Sequence, residues 1–216
     1  MRERYNIATD VCDKHPPAKL AMIHEDFSGA VREVYWGELQ ELSNRFANVL
    51  RAHGVERGDR VAMLLPATPE TAAAFLAVWK AGAILLSLSV LYGDDGIRHR
   101  VTDSAATVLV TDAENADRLD ASLVEHVLVL DDALLVGASP AFACAETLAD
   151  DPAQLYYTSG TTGLAKGILH AHRYLLAHMS TRTPETAACR SRRRSCARVF
   201  GRCSLTATRR CRSRAA

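Results

Sequence analysis

The chain has 216 residues, 48% of them apolar, with 26 Lys plus Arg against 25 Asp plus Glu and a formal net charge of +1. That length holds one domain, or one and part of a second. No apolar run approaches the ~20 residues that cross a bilayer, and the polar start after Met1 lacks the apolar stretch of a secretory signal; the expected setting is the cytoplasm, with no membrane partner.

The first strong pattern is a helical stripe, Leu39, Leu42, Phe46, Val49 and Leu50, which predicts a helix over 36–53 stopped by Gly54. Arg60 to Leu65 is a short apolar run between Asp59 and Pro66, read as a buried strand. Thr68-Pro69-Glu70 then opens a helix, with Thr68 as cap and Pro69 in the first turn, ending near Gly82. The unit repeats: a strand over 83–88, a helix over 94–104, a strand over 107–111, a helix over 112–123 and a strand over 126–130. Residues 131–151 lack a period and read as a connection. Residues 154–158 form a strand entering a glycine-rich turn, 167–170 are extended, and 171–179 look helical. Strands separated by single helices imply parallel crossovers, hence an α/β fold with a layered, mostly parallel sheet and flanking helices.

Near Thr181 the composition breaks. Residues 1–181 hold 15 Lys plus Arg against 24 Asp plus Glu, whereas residues 182–216 hold 11 Arg, no Lys and only Glu185. Cys189, Cys196, Cys203 and Cys211 crowd the second part at spacings that match no zinc pattern. A segment of Arg, Ser, Cys and Ala without periodicity buries too little to offset its ordering entropy, so 182–216 is expected to be a disordered tail and 1–181 the folded domain. The all-Arg usage fits an out-of-frame reading of a G- and C-rich gene. A basic tail for nucleic acid is the disfavoured alternative, since such tails mix in Lys.

Thr158 to Gly167 packs three glycines, four hydroxyl residues and one lysine into ten positions. Glycines let successive N–H groups point into one concavity, the hydroxyls of Thr158, Ser159, Thr161 and Thr162 add donors, and Lys166 adds a mobile cation. A strand delivering this turn puts it at the carboxyl edge of the sheet, where α/β ligands sit. A polyphosphate suits the pattern. It is not the Walker A loop, because Gly163 is followed by Leu164 and Ala165, and Lys166 by Gly167. The bland alternative is a flexible Gly/Thr turn.

Residues 158–167 closely resemble the signature Thr-Ser-Gly-Thr-Thr-Gly-x-Pro-Lys-Gly of the adenylate-forming enzymes, with Ala165 in place of the proline. The resemblance extends over roughly residues 5–181, through Tyr35-Trp36-Gly37-Glu38-Leu39, Val55 to Val61 and Trp79 to Ala83. Leu169-His170-Ala171-His172-Arg173 looks most like the acetyl-CoA and medium-chain acyl-CoA synthetases. The resemblance implies an AMP-forming acyl-CoA synthetase: a carboxylic acid attacks ATP to give acyl-adenylate, and CoA then displaces AMP. By the same resemblance Thr158, Ser159, Gly160, Thr161, Thr162, Gly163 and Lys166 hold the ATP phosphates, with Thr158 the candidate for placing Mg²⁺.

The family's ribose-holding, acyl-pocket and catalytic-lysine motifs do not occur in these 216 residues, so no catalytic residue is assigned and the chain alone is expected to be inactive. A non-catalytic remnant with weak polyphosphate binding is the second reading. His170 and His172 are read as structural, and Asp94-Asp95 and Asp131-Asp132 as helix-start and loop acids rather than metal ligands. Trp36 and Trp79 are read as packing, Cys12 and Cys144 as reduced thiols.

Overall fold

A computed structural model describes residues 3–158 and 164–176. The chain divides into two compact units, Met1–Tyr174 and Leu175–Ala216, and every strand and helix named here belongs to the first. The expected tail, 182–216, and residues 177–179 of the expected helix over 171–179 lie outside the described residues; of the rest, Ala171 ends the last strand, 172–173 form a turn and 174–176 are helical.

An antiparallel ribbon, β1 (Leu20–Glu25) with β2 (Val31–Tyr35), precedes the main sheet. Its turn is closed by Asp26, whose Oδ1 accepts from the N–H of Ser28 (2.8 Å) and of Ala30 (3.0 Å). Helix α1 (Trp36–Ala52) follows directly, burying Leu39, Phe46, Val49 and Leu50 of the predicted stripe, and Gly54 beyond its end takes φ +78. The main sheet begins with β3 (Arg60–Leu64), α2 (Pro69–Ala81) and β4 (Ile84–Leu88). Thr68 caps α2 by accepting from the Thr71 N–H at 3.2 Å, and Gly82 closes it in the left-handed region at φ +75. A Cβ on Gly82 would stand 2.9 Å from that of Ala145, so both backbone and space demand glycine there.

Helix α3 (Asp94–Ser104) and β5 (Val108–Thr111) continue the alternation. The expected helix over 112–123 does not form as one element. Only α4 (Ala113–Ala116) and a single 3₁₀ turn, Ala121–Leu123, are helical. Asp112 caps the start by accepting from the Asn115 N–H (2.8 Å), but within the segment Asp120 accepts from the Ser122 N–H (3.1 Å). The Asp120 side chain thus starts a second short turn instead of letting one helix run through. Then come β6 (His126–Val129), an irregular connection containing one turn at Ala133–Leu135, β7 (Pro152–Thr158) and β8 (Lys166–Ala171).

The strands order β6-β5-β3-β4-β7-β8; all adjacent pairs are parallel except β7 with β8. Strand alternation separates two apolar layers. Val61 and Met63 of β3 pack with α1 and with Ala74, Ala77 and Val78 of α2, while Ala62 and Leu64 pack with Ile97 and Val101 of α3. α2 and α3 therefore lie on opposite faces. Residues 61–64 are at most 1% exposed, which is why β3 reads as an unbroken apolar run rather than an alternating one.

The wholly buried Lys80, at the end of α2, is paired with Asp13 (2.7 Å) and donates to the Asn44 amide oxygen (2.7 Å). Trp79 donates its indole N–H to the Ala153 carbonyl at 3.0 Å, and Trp36 stacks on His15 at 4.4 Å. Both tryptophans pack as expected.

Candidate functional site

β7 and β8 form a hairpin whose last register pair is Thr158 with Lys166. The glycine-rich turn therefore springs from two strand ends that face each other, at the carboxyl edge of a strand lying parallel beside β4. Ser159, Gly160, Thr161, Thr162 and Gly163 lie outside the described residues. Thr158 and Lys166 are both exposed, and the Lys166 ammonium has no ion-pair or hydrogen-bond partner among the described residues.

The hairpin is held from α3. His99 donates from Nε2 to the Ala165 carbonyl at 2.8 Å, which fixes the turn one residue before Lys166. One helical turn later, Asp103 accepts the Tyr157 hydroxyl at 2.6 Å. Burial and that carboxylate raise the Tyr157 phenol above its ordinary pKa, so it stays a neutral donor. Arg100 lies between them, its guanidinium 4.1 Å from the Tyr92 ring centre and 5.7 Å from that of Tyr157. Gly167 sits opposite Tyr157; a Cβ there would come within 3.1 Å of Leu155 and 3.4 Å of the Tyr157 ring. The glycine following the lysine thus leaves room for the Tyr157 ring and Leu155 against β8. Sequence reasoning missed His99 and Asp103. Their i, i+4 spacing was visible, but contacts spanning 66 and 54 residues carry no local signal.

The two histidines after the loop have different surroundings. His170 lies between Tyr156 and Tyr174, at 5.5 and 5.3 Å between ring centres. His172 is completely buried, and its Nδ1 accepts the Ile7 N–H at 3.2 Å. Burial lowers its pKa to about 4, so it is a neutral structural residue. Among the described residues no three His, Cys, Asp or Glu side chains are grouped to hold a metal. Asp94 and Asp95 occupy the first turn of α3, and Asp131 accepts the Leu134 N–H at 2.7 Å, so these acids sit at turn starts.

An exposed, unpaired ammonium facing a threonine across the mouth of a glycine-rich turn fits a polyphosphate. The sequence model of the AMP-binding enzyme family matches residues 9–199. The chain belongs to that family. Among AMP-binding relatives, the 3-hydroxybenzoate–CoA ligase of Aromatoleum sp. (strain CIB) is 34% identical over 163 residues, 68% of this chain and 31% of that protein. The acetyl-coenzyme A synthetase of Shewanella oneidensis is 33% identical over 201 residues, covering 76% and 31%. An acyl-CoA synthetase of Brucella canis superposes with a TM-score of 0.75 at 27% identity, over 81% of this chain and 34% of that one. ATP-bound MatB from Rhodopseudomonas palustris superposes at 0.71 with 32% identity, over 80% and 36%. The chain spans about a third of the length of these curated relatives.

Proposed function

We propose that this chain carries the ATP-phosphate arm of an AMP-forming acid–thiol ligase. In that reaction a carboxylic acid attacks the α-phosphorus of ATP, giving acyl-adenylate and pyrophosphate, and the thiol of CoA then displaces AMP. The observation that carries the reading is the register pair Thr158–Lys166, which brings the signature's hydroxyl and its free ammonium to one hairpin mouth at the sheet's carboxyl edge.

Each described residue then has a task. Lys166 supplies positive charge to the β- and γ-phosphate oxygens, where charge grows as pyrophosphate leaves. Thr158 offers its hydroxyl beside it, to a phosphate or to the Mg²⁺ that accompanies ATP. His99 and Asp103 act through others: they fix Ala165 and Tyr157, so the turn closes on the phosphates with less freedom to lose. The substrate acid is a carboxylic acid of no assigned chain length. Relatives named for acids as unlike as 3-hydroxybenzoate and acetate match about equally, at 34% and 33% identity, so no narrower class is supported. The described cysteines, Cys12 and Cys144, are free thiols, which fits a reducing compartment, the cytoplasm. Among the described residues no helix is long and apolar enough to cross a membrane.

Titration of the chain with Mg-ATP, GTP and tripolyphosphate tests the arm. All three are expected to bind with a dissociation constant of order 1 mM, and Lys166→Ala to weaken all three alike. Binding indifferent to Lys166→Ala would remove the loop from the reading.

A further inference from the structure

We propose that the chain has a second small-molecule site, a cavity at the carboxyl ends of β3, β5 and β6 that takes a small organic cation with an apolar body. The topology makes the opening. β3 leads through α2 to β4 on one side, and β4 leads through α3, on the opposite face, back past β3 to β5. β3 and β5 are neighbours in the sheet, but the chain leaves them toward opposite faces. Such a reversal leaves a crevice outside the strand ends, the position where open α/β sheets bind ligands.

Here the crevice is a real concavity of about 260 Å³. Phe46, Leu65, Ala74 and Leu135 make it apolar, and a volume well above the ~150 Å³ that accepts benzene admits one ring with a short substituent. The phosphate turn follows β7, two strands from β3, so the two places are about 10 Å or more apart at the ~4.8 Å strand spacing.

Charge selects the ligand. Glu70, Asp112, Asp131 and Asp132 line the cavity, and no Lys, Arg or His does. Glu70 is engaged by Arg32 at 2.7 Å and Asp112 by Asn115 at 2.8 Å. Asp131 accepts the Leu134 N–H at Oδ1. Its Oδ2 and the whole Asp132 carboxylate have no hydrogen-bond or ion-pair partner among the described residues. These acids do not converge as a metal-holding group. The free Asp132 carboxylate and the half-engaged Asp131 beside it, lining an otherwise apolar cavity, suit an ammonium on a hydrocarbon rather than a bare ion. They also repel the carboxylic acid and the phosphates of the proposed reaction.

The test is an amide NMR titration of the full chain with benzylammonium, benzyl alcohol and benzoate, each with saturating tripolyphosphate present. Benzylammonium is expected to shift the signals of Thr71, Asp112 and Asp132 saturably, with a dissociation constant of order 1 mM. The alcohol should bind about fivefold more weakly and benzoate not at all. Asp131→Asn with Asp132→Asn, shape-preserving changes at exposed positions, should bring benzylammonium down to the level of the alcohol and leave the alcohol unchanged. Absence of saturable shifts at these residues, equal binding of alcohol and ammonium, or a double variant that binds benzylammonium undiminished would each overturn the proposal.

Discussion

Acid should unfasten the amino-terminal segment through one side chain, His172. It is 0% exposed; its Nδ1 accepts from the Ile7 N–H, and its Nε2 has no partner among the described residues. Protonation would place two donors face to face at Nδ1 and leave a cation without solvent. The folded-state pKa is accordingly lowered to about 4 from the ordinary histidine value of 6.5, chiefly by burial. The nearby Asp151 pulls the other way and Arg57 adds to the lowering. Because the folded value is depressed, the unfolded chain binds the proton first as pH falls. The stability contributed by neutral His172 is whole above about pH 6.5 and drains away down to about pH 4. The separation corresponds to about 3 kcal/mol in full and about 2 kcal/mol at pH 5. With an m-value of about 2 kcal/mol/M, urea unfolding should show the midpoint falling by about 1 M between pH 7 and pH 5. Carboxylates contribute to any such shift, so the informative quantity is the difference from His172→Gln, which cannot titrate. The variant should be less stable at pH 7 but lose about 1 M less of its midpoint on acidification. Equal acid sensitivity in both proteins would refute the assignment of this loss to His172.

Other perturbations have comparably direct readouts. Lys80→Ala leaves Asp13 and Asn44 without their cation and should cost about 3 kcal/mol in denaturant unfolding, the lower end for a broken buried pair because Asp13 keeps 29% side-chain exposure. A cost below about 1 kcal/mol would mean that water reaches the pair. Gly82→Ala meets both a left-handed φ and the Ala145 methyl, so the thermal midpoint should drop by several degrees, about 2 kcal/mol for the strain and crowding together. Tyr157→Phe removes the hydroxyl held by Asp103 and should cost about 1 kcal/mol in stability while weakening tripolyphosphate binding. Loss of stability with unchanged binding would confine α3 to a structural role.

The framework was legible in the sequence because its causes are local. Thr68 and Pro69 open α2 and Gly82 closes it, since a cap, a fixed φ and a left-handed residue each act within a turn. The unbroken apolar run at 61–64 follows from burial on both faces of a parallel strand. The signature at 158–167 named the family from residue types alone. The same locality misled over 112–123, where one helix was expected and the side chains of Asp112 and Asp120 cap separate short turns instead. The β1–β2 ribbon escaped notice because residues such as Ile23 and Val31 stay exposed, 62% and 63%, and give no half-buried alternation. What tertiary structure alone decided are the encounters between distant segments. His99 reaches Ala165, Tyr157 reaches Asp103, His172 takes the Ile7 amide, and acids from α2 and from the segments after β5 and β6 line one crevice. None of these residues prefers its partner over any other carbonyl, phenol, amide or carboxylate until the sheet order has fixed which strand ends stand side by side.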